Sequence, residues 1–220
     1  VFRRHLQHGA EVYAQRCQAC HGVTGDGNGP AAAYLQPRPR DYRRGIFKFT
    51  STPYGSKPRR ADLERTIRRG IVGTSMPSFA LLSDEDIGAV VDYVLVLAMR
   101  GELEFLLASE AESEDEIDPE IAEEYAAAVP EQWQAAAADI VLADVRMPAF
   151  SEETVAAGKE AFRTKGCSKC HGEDGRGLTQ ENVGTDAWGF STRAADLTSG
   201  MLRGGRRPLD IYRRISSGIN

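Results

Sequence analysis

Two short runs constrain this chain more than anything else in it: Cys17-Gln18-Ala19-Cys20-His21 and Cys167-Ser168-Lys169-Cys170-His171. Between them they use all four cysteines of a 220-residue sequence. Other uses of paired cysteines fit poorly. A zinc site of two Cys-x-x-Cys pairs brings them within roughly 15–20 residues of each other, whereas most of the chain lies between these two and each has its own histidine. A thioredoxin-like dithiol is expected near a βαβ pattern and has no need of that histidine. Four cysteines are also sparse for a disulfide scaffold. Cys-x-x-Cys-His is the attachment run of a c-type haem: the two thiols add to the haem vinyl groups, and the next residue presents an imidazole to the iron. The pair of runs predicts two covalent haem c groups, on Cys17, Cys20 and His21 and on Cys167, Cys170 and His171.

The surroundings of the two runs repeat as well. Gly9-Ala-Glu-Val-Tyr13 leads into the first and Gly158-Lys-Glu-Ala-Phe162 into the second, each reading as a short helix. Glycine-rich loops follow, Gly22 to Pro30 with Gly25 and Gly27, and Gly172 with Gly175 and Gly177, suited to positive φ. A helix is expected over Asp62 to Arg69, stopped at Gly70, with a counterpart over Pro208 to Ser217 stopped at Gly218. Ser83-x-x-Asp86 reads as a capped start to a helix reaching about Met99, with Ile87, Val90, Val91, Val94, Leu95 and Ala98 at helical spacing.

This internal repeat resembles the class I cytochrome c family, over nearly everything outside the middle of the chain. The resemblance rests on the helix before Cys-x-x-Cys-His, Gly9 and Tyr13 with Tyr93 as aromatic partner, Pro39-Arg40-Asp41-Tyr42, and Gly73-Thr74-Ser75-Met76-Pro77. It implies an all-α fold of two tandem domains, residues 1–100 and 151–220. It implies His21 and His171 as proximal iron ligands and Met76, 55 residues beyond His21, as sixth ligand of the first haem. It also implies Pro30 as the residue whose carbonyl accepts the other N–H of His21. The second half has no such proline. Imidazole plus thioether raises the potential relative to two imidazoles and leaves no open site on the iron.

The function implied is electron transfer, as a shuttle or as the cytochrome subunit of a larger oxidoreductase, with redox proteins as donor and acceptor. The alternative is a haem enzyme with an open site on the second haem, since no obvious methionine follows His171 at the right distance. Met201 aligns with Ile46, a position expected to pack, and Met147-Pro148 precedes its motif. His5 and His8 are the other conceivable ligands of the first haem. Ile215 to Asn220 aligns with Ile67 to Val72, so a Met-Pro segment and a final helix are expected beyond Asn220. Haem is attached to such motifs outside the cytoplasmic membrane, so an export signal or anchor is expected before Val1, and a periplasmic or otherwise extracytoplasmic location with it.

Charge divides the chain in three. Residues 101–145 hold 14 acids and no Lys or Arg, residues 1–100 carry +6 and residues 146–220 carry +3. A pI near 5.5 does not suit a nucleic-acid binder, which shows a basic stripe. No apolar run is long enough to cross a bilayer. The acidic stretch, residues 101–150, reads as a spacer holding two helices, Glu120 to Val129 and Glu131 to Val145, broken at Pro130. A docking surface for a basic partner is its functional alternative. Arginines recurring at matching places in the repeat (Arg59, Arg60, Arg68 and Arg69 with Arg206, Arg207, Arg213 and Arg214 among them) are read as a solvated helix face, or as partners for haem propionates and acidic proteins.

Overall fold

The computed structural model describes residues 2–114, 117–144, 146–180, 184–186 and 189–219. Two compact units divide it: Val1–Leu142 with Arg213–Asn220, and Ala143–Tyr212.

In the first unit the helices are α1 (Phe2–Arg16), α2 (Gln18–His21), α3 (Arg60–Arg69), α4 (Asp84–Glu114) and α5 (Pro119–Ala136). Helix α1 crosses α4 at Gly9, where any side chain is excluded: a Cβ there would stand 2.2 Å from the Ala89 carbonyl oxygen. Tyr13 and Tyr93 meet one turn further on, ring centroids 5.3 Å apart. Ile87, Val90, Val91, Val94 and Ala98 line the buried face of α4 and pack with Val12, Tyr13, Leu63 and Ile67. The Ser83 hydroxyl accepts from the Asp86 amide at 3.0 Å, which starts α4 as expected. Gly70 ends α3 at φ 64°. Asp62, buried at its start, accepts from Ser51 and from the Arg59 amide, tying the preceding loop to α3.

The acidic stretch departs from its reading as a spacer with two helices. Helix α4 does not stop near Met99 but continues to Glu114, because Gly101 is a point of close approach and not a terminator: its Cβ would lie 2.4 Å from that of Arg43. Helix α5 does not break at Pro130, which sits inside it. An interior proline costs about 3 kcal/mol, but Pro130 and Ala126, whose carbonyl it leaves without a partner, are both exposed and water can serve that oxygen. On the other face Val129, Trp133 and Ala136 are buried, at the spacing of one helix side. Val141 then donates to the Ser51 carbonyl at 2.8 Å, so the chain stays on the first unit as far as Leu142. Val145, the expected end of the second linker helix, lies outside the described residues.

The second unit holds α6 (Glu152–Thr164), α7 (Cys167–His171), a two-residue antiparallel pair, β1 (Gly184–Thr185) with β2 (Ser191–Thr192), and the start of α8 (Pro208–Ser217). Ser151 caps α6. Gly218 follows α8 at φ 66°, matching Gly70. No residue of α6 is buried, and a Cβ on Gly158 would meet nothing within 4 Å. The small strand pair was not anticipated. Nor is Ile46 a packing residue: it is 44% exposed, as Met201 is at 46%.

Candidate haem sites

Each Cys-x-x-Cys-His run folds as a single helical turn, α2 after α1 and α7 after α6. The Cys17 carbonyl accepts from the Cys20 and His21 amides at 3.1 and 2.9 Å, which puts Cys17 and Cys20 one turn apart. All four cysteines are free thiols. Cys17 borders the core of the first unit. Burial, with the Cys20 sulfur beside it, pushes its thiol up to about 11. A redox dithiol instead needs a thiolate, stabilised by lowering that value.

The loop after each run closes back on it through the same bonds. Gly27 donates to the His21 carbonyl at 2.9 Å, and Gly177 to the His171 carbonyl at 2.7 Å. Tyr42 donates to the Gly25 carbonyl at 3.1 Å, and Leu197 to Gly175 at 2.8 Å. Glycine is required at Gly27 and Gly177, which have φ of 71° and 68°. A Cβ would strike the Pro39 and Ala194 carbonyls, at 2.6 and 2.3 Å. One geometry is thus written twice from two different sequences.

Its purpose is to aim a carbonyl at each histidine. His21 Nδ1 lies 3.3 Å from the Arg40 carbonyl oxygen, and His171 Nδ1 lies 3.0 Å from that of Ala195. A carbonyl only accepts, so Nδ1 carries the proton and Nε2 keeps its lone pair, the form in which imidazole binds a metal. Burial lowers the His21 imidazole from its ordinary value, and the bond to Arg40 opposes this in part; the ring is neutral near pH 7. The expected role of Pro30 is therefore corrected. Pro30 is exposed, and the acceptor is ten residues on, at Arg40. The second half has no proline between His171 and Pro208 and loses nothing by it. Thiols one turn apart followed by a tautomer-fixed imidazole fit covalent haem at both sites.

The two sites differ in what lies behind the histidine. In the first, the Tyr42 ring packs on His21 at 5.4 Å, and its hydroxyl donates to Tyr13 at 2.5 Å, which donates to the Gly22 carbonyl at 2.8 Å. Burial raises both phenols above their ordinary value, so they stay protonated. In the second, Leu197 replaces Tyr42 and Phe162 replaces Tyr13, with Phe162 6.3 Å from His171. Tyr42 was visible only as part of a family run; a buried hydroxyl chain is not legible from residue types alone.

Met76 packs against the same core as Cys17. Its amide donates to the Thr74 hydroxyl at 3.2 Å and its carbonyl accepts from Ile71 at 3.1 Å, which closes the loop that carries it. His5 and His8 are occupied elsewhere, 2.8 Å from Asp92 and 2.7 Å from Asp86 across the α1–α4 contact. Met147 is 62% exposed. Several repeated arginines make ion pairs on the solvated surface: Arg60 with Asp92, Arg68 with Glu64 and Asp84. Arg207 binds Asp210, and in the first unit Arg213 and Arg214 donate to carbonyls of Val141, Lys48 and Thr50. Among the described residues no helix is long and apolar enough to cross a membrane.

Comparison with known proteins agrees with this geometry half by half. Residues 4–94 match the family model described as cytochrome C oxidase, cbb3-type, subunit III, and residues 155–219 match that described as cytochrome c. Among solved structures the chain is similar to one from the Kuenenia stuttgartiensis reducing HAO-like protein complex, at 29% identity and a TM-score of 0.73, covering 97% of this chain and 84% of the other. Comparison with the curated proteins gives no match.

Proposed function

As a di-haem c-type cytochrome, two cytochrome c-like domains in tandem with two covalent haem c groups, the protein transfers electrons, and we propose that it does so as the cytochrome subunit of a larger oxidoreductase outside the cytoplasmic membrane. When bound, each haem takes up and releases one electron at a time. The chain supplies the rest. Cys17 and Cys20, and Cys167 and Cys170, tether the two groups. His21 and His171 offer Nε2 to the iron, each held by one carbonyl. Met76 would offer its thioether to the iron of the first site, which together with the His21 imidazole would favour the reduced state. The observation that carries the reading is the twice-built carbonyl-to-Nδ1 contact, at Arg40 and at Ala195. Neither comparison favours the enzyme reading of the second site.

The subunit reading draws on the similar chain, which is part of a protein complex. Attachment of haem to such runs outside the cytoplasm supports the location. A pyridine haemochrome assay with a spectral redox titration tests the carrier reading: two haems per chain, both reducible, are expected, and one or none overturns it. Met76→Ala should remove a methionine-to-iron charge-transfer band and lower the first potential; an unchanged spectrum moves the ligand elsewhere. Native mass after gentle extraction from the source cells tests the subunit reading. A protein that elutes alone is a shuttle.

A further inference from the structure

The residue that carries this inference lies in the acidic stretch, more than a hundred positions from the first haem run. Behind His21 stands a column of rings. Tyr42 packs on the imidazole at 5.4 Å, Phe47 stacks on Tyr42 at 5.9 Å with planes 13° apart, and Trp133 of α5 meets Phe47 edge-on at 6.2 Å. Tyr42 and Trp133 are buried, and Phe47 packs against the same core.

Trp133 is itself held in a built seat. Its indole N–H donates to Glu102 at 3.0 Å, Glu102 is paired with Lys57, and the Lys57 ammonium stands 5.7 Å over the indole. Gly45 turns directly on this group. Its φ is 67°, and a Cβ there would lie 2.9 Å from the Lys57 nitrogen, 3.0 Å from Glu102 and 3.1 Å from the indole. Gly45 also donates to the Tyr42 carbonyl at 3.0 Å. The loop that carries both Tyr42 and Phe47 therefore rests on Trp133, and two residues before Tyr42 is the Arg40 carbonyl that orients His21.

We propose that Trp133 is a positioning residue for the first haem: through Phe47 and Tyr42 it keeps the proximal side of His21 packed and dry. Close-packed interiors transmit a lost contact because little slack exists to absorb it. Removing the indole empties the end of the column, the loop relaxes, and water gains access behind the imidazole. Burial is one of the levers that set a haem's potential; a wetter proximal side favours the more highly charged ferric state. The second site has Leu197 in place of Tyr42 and no such column among its described residues, so it is the internal reference. The proposal rests on the carrier reading, which fails first and separately if wild-type protein holds fewer than two haems.

The test uses the full haem-loaded chain, with a Cys167→Ala, Cys170→Ala background to assign the first haem's signal. At a fixed poise near its midpoint, Trp133→Ala should lower the ferrous-to-ferric ratio of the first haem about fivefold and leave the second unchanged. Trp133→Phe should restore most of the loss, and Phe47→Leu, which keeps the site apolar but breaks the column, should reproduce it. Ratios within twofold of wild type in both Trp133→Ala and Phe47→Leu overturn the proposal. So does an equal shift of both haems, or a Trp133→Phe variant as low as Trp133→Ala. If Trp133→Ala fails to accumulate, Phe47→Leu and Trp133→Phe carry the same decision.

Discussion

The two halves share a binding turn and differ in the body behind it. At both histidines a glycine loop and a single carbonyl do the same work. Among the described residues, only the first half has a helix crossing at a bare glycine, a pair of buried phenols, and a long helical extension with α5 packed beside it. The local geometry that fixes a ligand is cheap to write, since it needs three glycines in a row of turns. The environment of that ligand needs a core, and the first unit assembles one from sequence far away.

Breaking the shared part gives the largest effect. Replacing Cys167 and Cys170 by Ala should abolish one haem and spare the other, because each run is folded by its own loop. Haem counted by pyridine haemochrome and by intact mass should fall from two to one. Loss of both would mean that the halves depend on each other for haem capture.

The next contrast sharpens the difference in the bodies. Gly9→Ala places a methyl against the Ala89 carbonyl and should destabilise the first half by about 1–3 kcal/mol, the usual range for an overpacked contact. Gly158→Ala meets open space in the middle of α6, and should leave stability level or raise it by about 1 kcal/mol through helix propensity alone. Urea unfolding followed at each haem's absorbance reads both. Similar losses at the two glycines would erase the contrast.

Much of this was legible in advance. The repeat, both haem runs, and the α3 and α8 stops at Gly70 and Gly218 follow from local pattern, where residue type and spacing decide the outcome; the Gly9–Tyr13–Tyr93 crossing came from the resemblance to class I cytochromes c. What escaped was decided by tertiary contact. Gly101 and Pro130 look like helix breakers, yet one is a close approach and the other lies on the wet side of a helix whose opposite face is buried. Pro30 was chosen by family analogy, whereas the acceptor at Arg40 is set by backbone direction and carries no residue signature. Trp133 was the available clue that the acidic stretch does more than span a gap: a lone indole among Ala and Glu usually marks a buried face.

The smallest effect belongs to the α1–α4 crossing, and it is a matter of pH. Asp92 sits between Arg60, 2.6 Å away, and His5, 2.8 Å away. Partial burial raises its carboxyl, but the bonds and charges of Arg60 and His5 outweigh this and hold it below the usual carboxylate range. A group depressed in the folded state stabilises above its unfolded value, near 4, and that contribution disappears as pH falls through the folded value. Because the side chain is about a quarter exposed and solvent screens it, the contribution at neutral pH is about 0.5–1 kcal/mol. Asp92→Asn should therefore be less stable than wild type by that amount at pH 7, with the gap narrowing as pH drops below 4. The second half has no counterpart to this crossing among its described residues, so its unfolding midpoint should not respond to the substitution. A gap that stays constant down to about pH 2.5, well below the unfolded value, would show that the substitution costs packing and not charge. The crossing would then owe nothing to the charge of Asp92.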